Sequence, residues 1–488
     1  MNRTGKRANL FAGGTPRRRL AGPAGFVIRM LALLVLAVPL AAQEPGRYGH
    51  YDVHDTDLLP RSEFAARRAA VLRMLDSTSA MLVRSVEERT RSNDVSFPFR
   101  QRNSMLYLTG VEETESALLL VPQGVRVDGN IVRELLFVAP RNPRMELWLG
   151  VRMGPEVAPS VTGISVVLSY TRLRGILDSL LPSLHMLYYD GWLHGSETEP
   201  LTGTTRIWDR EMKKDLGPRA AHLQVQHAGM IIDSMRVIKS PAEVELLRRA
   251  VEISMEAHRE TIRNARPGMH EYELEAVMES EFLRRGSESP GYPSIVGSGP
   301  NTCILHYESN RRRTEPGDLV LMDCGAEYHG YSADITRTFP VSGTFTPEQR
   351  AIYEIVAEAQ REAIDACRAG NSFLLPHRKA VRVIAAGLVR LGIIHDEAEY
   401  IKHFMHGTSH FLGLDVHDVG NVHGRLRPGM VMTVEPGIYI AAGSDCDPKW
   451  WNIGVRIEDD VVITDDDPLN LSAGLAHTAD EIEQLMQR

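Results

Sequence analysis

Five residues that can bind metal ions are scattered through the last third of this chain, and the four acids among them lie in or beside apolar, strand-like runs. They are Asp323, Asp334, His410, Glu435 and Glu458. Burying a charged side chain in such a run is unfavourable unless a cation or another partner compensates it. Four carboxylates and one imidazole form an oxygen-rich set, which suits hard or borderline divalent ions such as manganese better than a thiolate-bound structural zinc.

Asp323 and Asp334 lie on either side of a turn within the sequence YHGY. If Tyr328 and His329 form the turn, the two aspartates are directly opposite each other; if His329 and Gly330 form it, they are diagonal neighbours. Both registers place them on one face of a hairpin, because side chains alternate with a period of two. Two like charges on one face destabilise a hairpin, and a shared divalent cation would reverse that effect.

The strand-like run of residues 454–463 carries another of the acids. Arg456 and Glu458 share one parity in this run, and most of its apolar residues share the other. We therefore expect Glu458 to face a polar cavity, with Arg456 beside it as the partner of a ligand carboxylate. Glu435 precedes a Pro-Gly pair, so its strand is expected to end in a turn at the rim of that cavity.

His406 and His410 are four residues apart, a spacing that on a helix would resemble the zinc motif HExxH. Position 407 is glycine rather than glutamate, and the Met-His-Gly context favours a loop or a strand end. We reject the helical motif. Because carboxylates can bridge, the five candidate ligands can instead hold two ions close together, an arrangement that activates water against a carbonyl or phosphoryl group. The ligand set therefore indicates a hydrolase.

The length of 488 residues favours two domains. Residues 61–237 alternate apolar strands, such as SALLLVP and ELLFVAP, with helical stretches, and predict an α/β domain that has no catalytic constellation. A boundary follows, since Ser240 is a good N-cap, Pro241 fits the first turn, and Glu243 completes a capping box. We predict that residues 238–488 form the catalytic domain.

The N-terminus has the pattern of an export signal. Residues 1–42 hold seven Arg or Lys and no acid, and they end in an apolar run that is too short to span a membrane. We expect cleavage near Ala42, a lead-in segment over residues 43–60, and a location outside the cytoplasm, in a periplasm if the source is a diderm bacterium. A leader that is not cleaved would tether the chain, and we expect no other membrane contact.

The rest of the chain is acidic. Beyond residue 42 it has 48 basic and 63 acidic residues, a net charge of −15. A nucleic-acid partner requires a basic surface, so this balance argues against one. The four cysteines show no CxxC spacing, which excludes a thiolate metal framework. Whether any of them form a disulfide stays open.

The sequence blocks resemble a known family. Asp-x10-Asp, HGTSH, VHDVG, VEPG and RIEDD, in this order, are similar to the catalytic domain of aminopeptidase P, a proline-specific metallopeptidase with the pita-bread fold. The resemblance runs from about residue 62 to the C-terminus and includes FPFRQRNSMLYLTG, IKSPAEVELLRRA and YPSIVGSGPNTCILHY. It implies an α/β N-terminal domain and an α+β catalytic domain, a curved and mostly antiparallel sheet covered by helices.

The resemblance also implies a division of labour among the ligands. Asp323 would bind one divalent ion, His410 and Glu435 would bind the other, and Asp334 and Glu458 would bridge the two. The implied cofactors are two divalent ions per chain, with manganese preferred because of the carboxylates. The implied assembly is a homodimer or homotetramer formed through the N-terminal domain. Trp148, in the apolar stretch MELWLG, fits an interface or an ordinary core equally well.

The implied reaction is hydrolysis of the bond between an N-terminal residue and a following proline. Glu435 is the candidate to accept and relay a proton, His306 and His417 are candidates to contact the scissile carbonyl, and His406 is expected to line the proline side. The nearest alternative is prolidase, which accepts dipeptides. A creatine-type amidinohydrolase and a metal-free binding protein share the fold, but complete retention of the five ligands argues against both.

Overall fold

The computed structural model describes residues 51, 57–190, 216–217 and 220–487. The predicted export signal and most of the predicted lead-in segment lie outside the described residues. Among the helices that are described, none is both long enough and apolar enough to pass through a bilayer.

The first half of the chain forms a six-stranded mixed sheet. Across the sheet the strands follow the order Val167–Ser169, Asn130–Val138, Ala117–Val127, Ser79–Arg84, Met186–Asp190 and Gln224–His227. The predicted apolar runs, residues 116–122 and 134–140, overlap two of these strands. Alternate residues such as Met81 and Leu82 are buried on opposite faces, since helices cover both sides of the sheet. Burial of both faces explains why these strands are continuously apolar instead of alternating.

Helices pack around the sheet and continue into the second half of the chain. In the first half they are Arg61–Met74, Asn103–Thr109, Pro143–Leu149, Gly154–Thr162, Leu173–Leu180 and Gly229–Arg236. In the second half they are Pro241–Asn264, Glu271–Arg284, Pro347–Asp365, Leu375–Arg390 and Ala479–Met486. The helix at Pro241 has the predicted capping box: Glu243 N donates to Ser240 Oγ at 3.3 Å, and Ser240 N donates to Glu243 Oε2 at 2.9 Å.

The second half contains short strands with antiparallel pairing throughout. They are Ser289–Pro290, Ile295–Ser298, Leu319–Asp323, Ala326–Tyr328, Tyr331–Ser332, Thr336–Pro340, Val431–Val434, Gly437–Ile440, Ile453–Arg456, Asp459–Val462 and Leu469–Asn470. A further exposed hairpin, Thr90–Ser92 with Val95–Ser96, belongs to the first half. The α/β part followed by an α+β part agrees with the predicted fold class.

The hairpin between Leu319 and Pro340, which we call the aspartate hairpin, turns at His329 and Gly330. Both residues have positive φ, 49° and 79°, as a type I′ hairpin turn requires. Asp323 pairs with Thr336, so Asp323 and Asp334 are diagonal neighbours, the second of the two predicted registers.

Gly325 allows the two strands of this hairpin to approach closely. A Cβ at this position would lie only 1.8 Å from the carbonyl oxygen of Ala333, a contact that no side chain can make. His258, on the helix Pro241–Asn264, lies against the same place, with Nε2 3.1 Å from the carbonyl oxygens of both Cys324 and Ile335. These two carbonyls belong to the chain neighbours of Asp323 and Asp334, so the helix supports the hairpin where its acids lie.

The prediction of a single strand over residues 454–463 is wrong. This segment forms two strands, Ile453–Arg456 and Asp459–Val462, which pair with different partner strands. At the break, Glu458 N donates to the carbonyl oxygen of Thr336 at 3.1 Å. The change of partner strand turns the chain and brings Glu458 onto the aspartate hairpin, a connection that side-chain parity within one strand cannot predict.

Candidate active site

All nine residues selected from the sequence line one cavity of about 350 Å³. They are His306, Asp323, Asp334, His406, His410, His417, Glu435, Arg456 and Glu458. Tyr292, Pro293, Ile295, Leu305, Glu308 and Val416 are also among the lining residues. The aspartate hairpin, the loop after residue 405 and the two strand ends near Glu435 and Glu458 therefore meet at one place.

Three of the five candidate ligands form a tight group. One donor atom from each of Asp334, His410 and Glu458 lies within 4.8 Å of the others. His410 Nε2 is 3.3 Å from Asp334 Oδ2 and 3.9 Å from Glu435 Oε1. The other ring nitrogen, Nδ1, is 3.0 Å from the carbonyl oxygen of Phe411. Donation from Nδ1 to that oxygen leaves Nε2 facing the acids, where it would offer its lone pair to a metal ion that replaces its proton.

Asp323 and Asp334 are joined by Tyr292, whose hydroxyl lies 2.6 Å from Oδ1 of each. Arg456 Nη2 pairs with Asp323 Oδ2 at 2.6 Å. Arg456 thus contacts a candidate ligand carboxylate as expected, and that carboxylate is Asp323. Thr336 provides the connection to Glu458, since its Oγ1 donates to Glu458 Oε2 at 2.6 Å and accepts from Arg456 Nε at 3.2 Å.

The carboxylates are crowded and poorly compensated in the metal-free protein. Burial, aided by the neighbouring carboxylates, raises the pKa of Glu435 to about 8 and that of Glu458 well above its usual range. Burial and Asp323 also raise the pKa of Asp334. Burial opposes ionisation of Asp323 as well, but the guanidinium of Arg456 and the hydroxyl of Tyr292 lower its pKa. Only one of the four acids thus has a sufficient cationic partner from the protein.

Divalent ions fit this site because they would supply the positive charge that the carboxylates lack. Burial disfavours a charged imidazole, yet the hydrogen bond with Asp334 and the charges of Asp334 and Glu435 raise the pKa of His410 to about 9. The acids therefore draw protons to the site when no stronger cation is bound. Divalent ions are the compensation that such oxygen-rich sites use, and ligands lose their protons on binding. The donor set fits divalent metal.

The remaining histidines line the cavity beside these donors. His406 Nε2 is 2.8 Å from the hydroxyl of Tyr439, and its Nδ1 is 2.7 Å from the carbonyl oxygen of Gly407. Burial and the charge of Arg456 lower the pKa of His406 to about 4, so its ring is neutral. His417 lies edge-on to His410, with 4.4 Å between ring centroids, and burial lowers its pKa. Neither His406 nor His410 is in a helix, which agrees with rejection of the HExxH motif.

Sequence reasoning missed four residues of this site: Tyr292, Thr336, Tyr439 and Asp460. Thr336 could have been found, since it has the same strand parity as Asp334 two residues earlier. Asp460 lies in the quoted block RIEDD and accepts a hydrogen bond from Asp334 N at 3.0 Å, but nothing in the sequence separates it from Asp459. No pattern marks Tyr292, in a Gly-Tyr-Pro turn sequence, or Tyr439, in an apolar run. Each becomes part of the site only when the strands assemble.

Two family models match the chain. The model described as metallopeptidase family M24 matches residues 245–465, and the model of the aminopeptidase P N-terminal domain matches residues 64–188. The Xaa-Pro aminopeptidase of Escherichia coli (strain K12) is 39% identical over 440 residues, which cover 88% of this chain and 98% of that protein. The chain belongs to the aminopeptidase P family. The human Xaa-Pro aminopeptidase 3 is more distant, 34% identical over 452 residues, 88% of this chain and 86% of that protein.

Solved structures of the aminopeptidase P family share the fold. E. coli aminopeptidase P with the inhibitor Pro-Leu has a TM-score of 0.79 at 40% identity, and the match covers 88% of this chain and 98% of that one. Zinc-substituted E. coli aminopeptidase P in complex with product gives 0.78 at 40% identity, with the same coverage. The N-terminal α/β domain and the pita-bread catalytic domain are thereby confirmed. The chain is a metallopeptidase, and its site is one for divalent metal ions.

Proposed function

We propose that this chain removes the N-terminal residue from peptides whose second residue is proline. The observation that carries the proposal is the convergence of four carboxylates and one imidazole on a single cavity of about 350 Å³, in a chain 39% identical to a protein named Xaa-Pro aminopeptidase. A proline nitrogen has no N–H, so a site built to grip an ordinary extended backbone is unsuited to this bond. A cavity that accepts the ring solves that problem.

We assign the five donors to two divalent ions: Asp323 to one, His410 and Glu435 to the other, with Asp334 and Glu458 shared. The tight group of Asp334, His410 and Glu458 supports a common ion for these three. The Tyr292 hydroxyl, 2.6 Å from Oδ1 of both Asp323 and Asp334, supports a position of Asp334 between that ion and Asp323. When bound, divalent ions supply Lewis-acid activation of water and of the scissile carbonyl. The candidate ligand carboxylates are oriented by Tyr292, Thr336 and Arg456. Each of these side chains donates a hydrogen bond of 2.6 Å to one of those carboxylates.

The other groups handle protons and the substrate carbonyl. Glu435 is assigned the proton transfer, since its carboxylate faces the cavity and burial already favours its protonated form in the metal-free protein. His417 and His306, which both line the cavity, are assigned hydrogen bonds to the carbonyl oxygen, because an imidazole N–H donates well to a developing oxyanion. His406, held by the hydroxyl of Tyr439, is assigned to the proline side.

A peptide panel with metal analysis tests the activity. We expect cleavage of Xaa-Pro-Xaa tripeptides, little or no cleavage of Xaa-Ala-Xaa, and loss of cleavage in Glu435→Gln. Exclusive cleavage of Xaa-Pro dipeptides would instead identify a prolidase. Absence of any hydrolysis by fully metal-loaded protein would leave a non-catalytic binding protein and end the proposal.

We further propose that two manganese ions are bound per active chain. Four carboxylate donors against one imidazole favour a hard ion, although zinc would bind competitively because affinity rises along the first-row series. Reconstitution of the chelated protein ion by ion should give the highest turnover with manganese at two equivalents. Full activity at one equivalent, or activity that survives complete chelation, would refute this.

We propose that the chain self-associates through its N-terminal domain as a homodimer or homotetramer. The helix Pro143–Leu149 supports this with a patch of exposed apolar residues, in which Trp148 is 84% exposed and Leu147 is 58% exposed. Aromatic residues and methionine are enriched at interfaces. Light scattering should show an oligomer that Trp148→Ala weakens while the exposed control Ile131→Ala does not. A strict monomer at micromolar concentration would contradict the proposal.

We propose finally that the chain is exported and starts near Gln43 after removal of the leader. The basic start, the apolar run and the small residues at its end support translocation. N-terminal sequencing of the native protein, combined with cell fractionation, tests this. An intact Met1 on soluble cytoplasmic protein would overturn it.

A further inference from the structure

The loop of residues 410–418, which we call the histidine loop, carries functional residues on one side and acids on the other. His410, Val416 and His417 line the cavity, whereas the carboxylates of Asp415 and Asp418 bind donors outside it. The backbone folds back on itself, with Asp418 N donating to the carbonyl oxygen of Phe411 at 2.8 Å. Whatever holds the outer side of the loop therefore determines where His410 and His417 lie.

Arg100, from the N-terminal domain, contacts both the histidine loop and the aspartate hairpin. Its Nη2 donates to the carbonyl oxygen of Leu414 at 2.7 Å and to that of Gly330 at 3.2 Å. Its Nε donates to Glu327 Oε2 at 2.7 Å. Glu327 precedes the turn and Gly330 is part of it, in the hairpin that carries Asp323 and Asp334. One guanidinium thus spans the two segments that supply three of the five candidate ligands.

A second set of contacts fixes the position of the histidine loop relative to Arg100. Arg100 Nη1 donates to Asn103 Oδ1 at 2.7 Å, and Asn103 Nδ2 donates to Asp415 Oδ1 at 2.6 Å. Arg236 Nη2 donates to Asp415 Oδ2 at 2.7 Å. Lys239 pairs with Asp418 at 2.7 Å, and both of these side chains are only 1% exposed. The N-terminal domain and the segment that joins the two domains therefore hold the loop together.

We propose that Arg100 is a positioning residue for the metal centre, and that the N-terminal domain acts on catalysis through it. Arg100 touches none of the candidate ligands, so its effect passes through the spacing of the hairpin and the loop. Only a planar fork of donors reaches two carbonyls and a carboxylate at once, and a lysine ammonium on the same backbone offers no such geometry. The Arg100 side chain is 40% exposed, whereas that of Glu327 is 7% exposed. Loss of Arg100 therefore leaves a buried carboxylate unpaired, so its effect on stability has to be measured separately from its effect on geometry.

The test compares Arg100→Ala and Arg100→Lys with the control Arg126→Ala. Arg126 is an exposed arginine of the same domain that binds one carbonyl oxygen, that of Gly129, in its own hairpin. We expect Arg100→Ala to weaken the affinity for manganese, measured by calorimetry on chelated protein, by about 10-fold to 100-fold. We expect kcat to fall by a similar factor while KM stays within about twofold. Arg100→Lys should recover little of either loss, and the control should behave as wild type.

The possible outcomes of this experiment distinguish a failure of the positioning role from a failure of the proposed function on which it rests. Wild-type manganese affinity in Arg100→Ala would overturn the positioning role even if the protein cleaves Xaa-Pro peptides normally. A rise in KM alone would also overturn it, because it would indicate direct contact with substrate. A fall of the melting temperature by more than about 8 °C would make the role merely structural. Weakened manganese binding, in a protein whose wild type cleaves no proline peptide, would support positioning and refute the proposed activity.

Discussion

The strands of the N-terminal sheet and of the aspartate hairpin are equally well buried, but burial has opposite effects on their free energy. Leu119, in the centre of the sheet, is fully buried among apolar side chains, and burial by itself stabilises it. Asp323 and Asp334 are also buried, at 8% and 5% exposed, yet burial raises the free energy of their charged forms. The sheet is therefore complete without a partner, whereas the hairpin requires positive charge from Arg456, from protons or from metal ions.

Removal of a shared acid tests this difference between hairpin and sheet most directly. Asp334→Ala should abolish detectable peptide hydrolysis and lower the metal content, because the assigned bridge between the ions is lost. The metal-free variant should nevertheless be at least as stable as the metal-free wild type at neutral pH, since one of several repelling carboxylates is gone. Metal analysis and urea unfolding check both parts. Cys324→Ala, next to the other aspartate, is the control, and a variant that keeps both ions and near-normal turnover would contradict the assignment.

A second substitution separates binding of metal from catalysis. His417→Ala should leave the metal content largely unchanged and lower kcat by about 10²-fold to 10⁴-fold, if it serves the oxyanion or proton transfer. Steady-state kinetics beside elemental analysis provide the measurement. Loss of the ions in this variant would show that His417 belongs among the ligands.

The opposite result is expected in the N-terminal sheet. Leu119→Ala removes apolar contacts from a packed core and should lower the free energy of unfolding by about 2–5 kcal/mol. Turnover per folded molecule should stay within about twofold, because no candidate site residue contacts this position. Ile131→Ala, which is 67% exposed at the start of the same sheet, should change stability by less than about 0.5 kcal/mol. A large loss of turnover in folded Leu119→Ala would mean that the domains are coupled through their cores.

A further prediction concerns the stability of the protein, which we expect to depend on pH in this way only when no metal is bound. The folded-state pKa of Glu435 is raised to about 8 and that of His410 to about 9, so the folded protein binds more protons than the unfolded chain in this window. Stability of the metal-free protein should therefore fall as pH rises from about 5 to 9. Saturating manganese should abolish or reverse the slope, because its ligands must be deprotonated.

Urea midpoints across this pH range, with and without chelator, provide the measurement, and Glu435→Gln should flatten the metal-free slope. A metal-free protein that becomes more stable as pH rises would show that the acids are compensated by the protein itself. That result would remove the difference between hairpin and sheet.

Much of the candidate site could be selected from the sequence because its residue types conflict with their surroundings. Aspartate after Leu-Val-Leu-Met, or glutamate after Val-Arg-Ile, is a buried charge in an apolar run, and such positions are few. Tyr292 and Tyr439 could not be selected in this way, because a tyrosine beside or within a strand is ordinary. They are recognised only by their hydrogen bonds to carboxylates and to a histidine far away in the chain.

Local sequence is enough to predict which residues are apolar, where the helix at Pro241 begins and that both aspartates share one face of a hairpin, because these properties depend on neighbours within a few positions. Tertiary packing is needed to place the turn at His329 and Gly330, to break the strand around Glu458 and to pair Arg456 with Asp323. Each of those outcomes depends on which distant strand supplies the hydrogen-bond partner. Local periodicity has no information on that choice, since it is made when the whole domain packs.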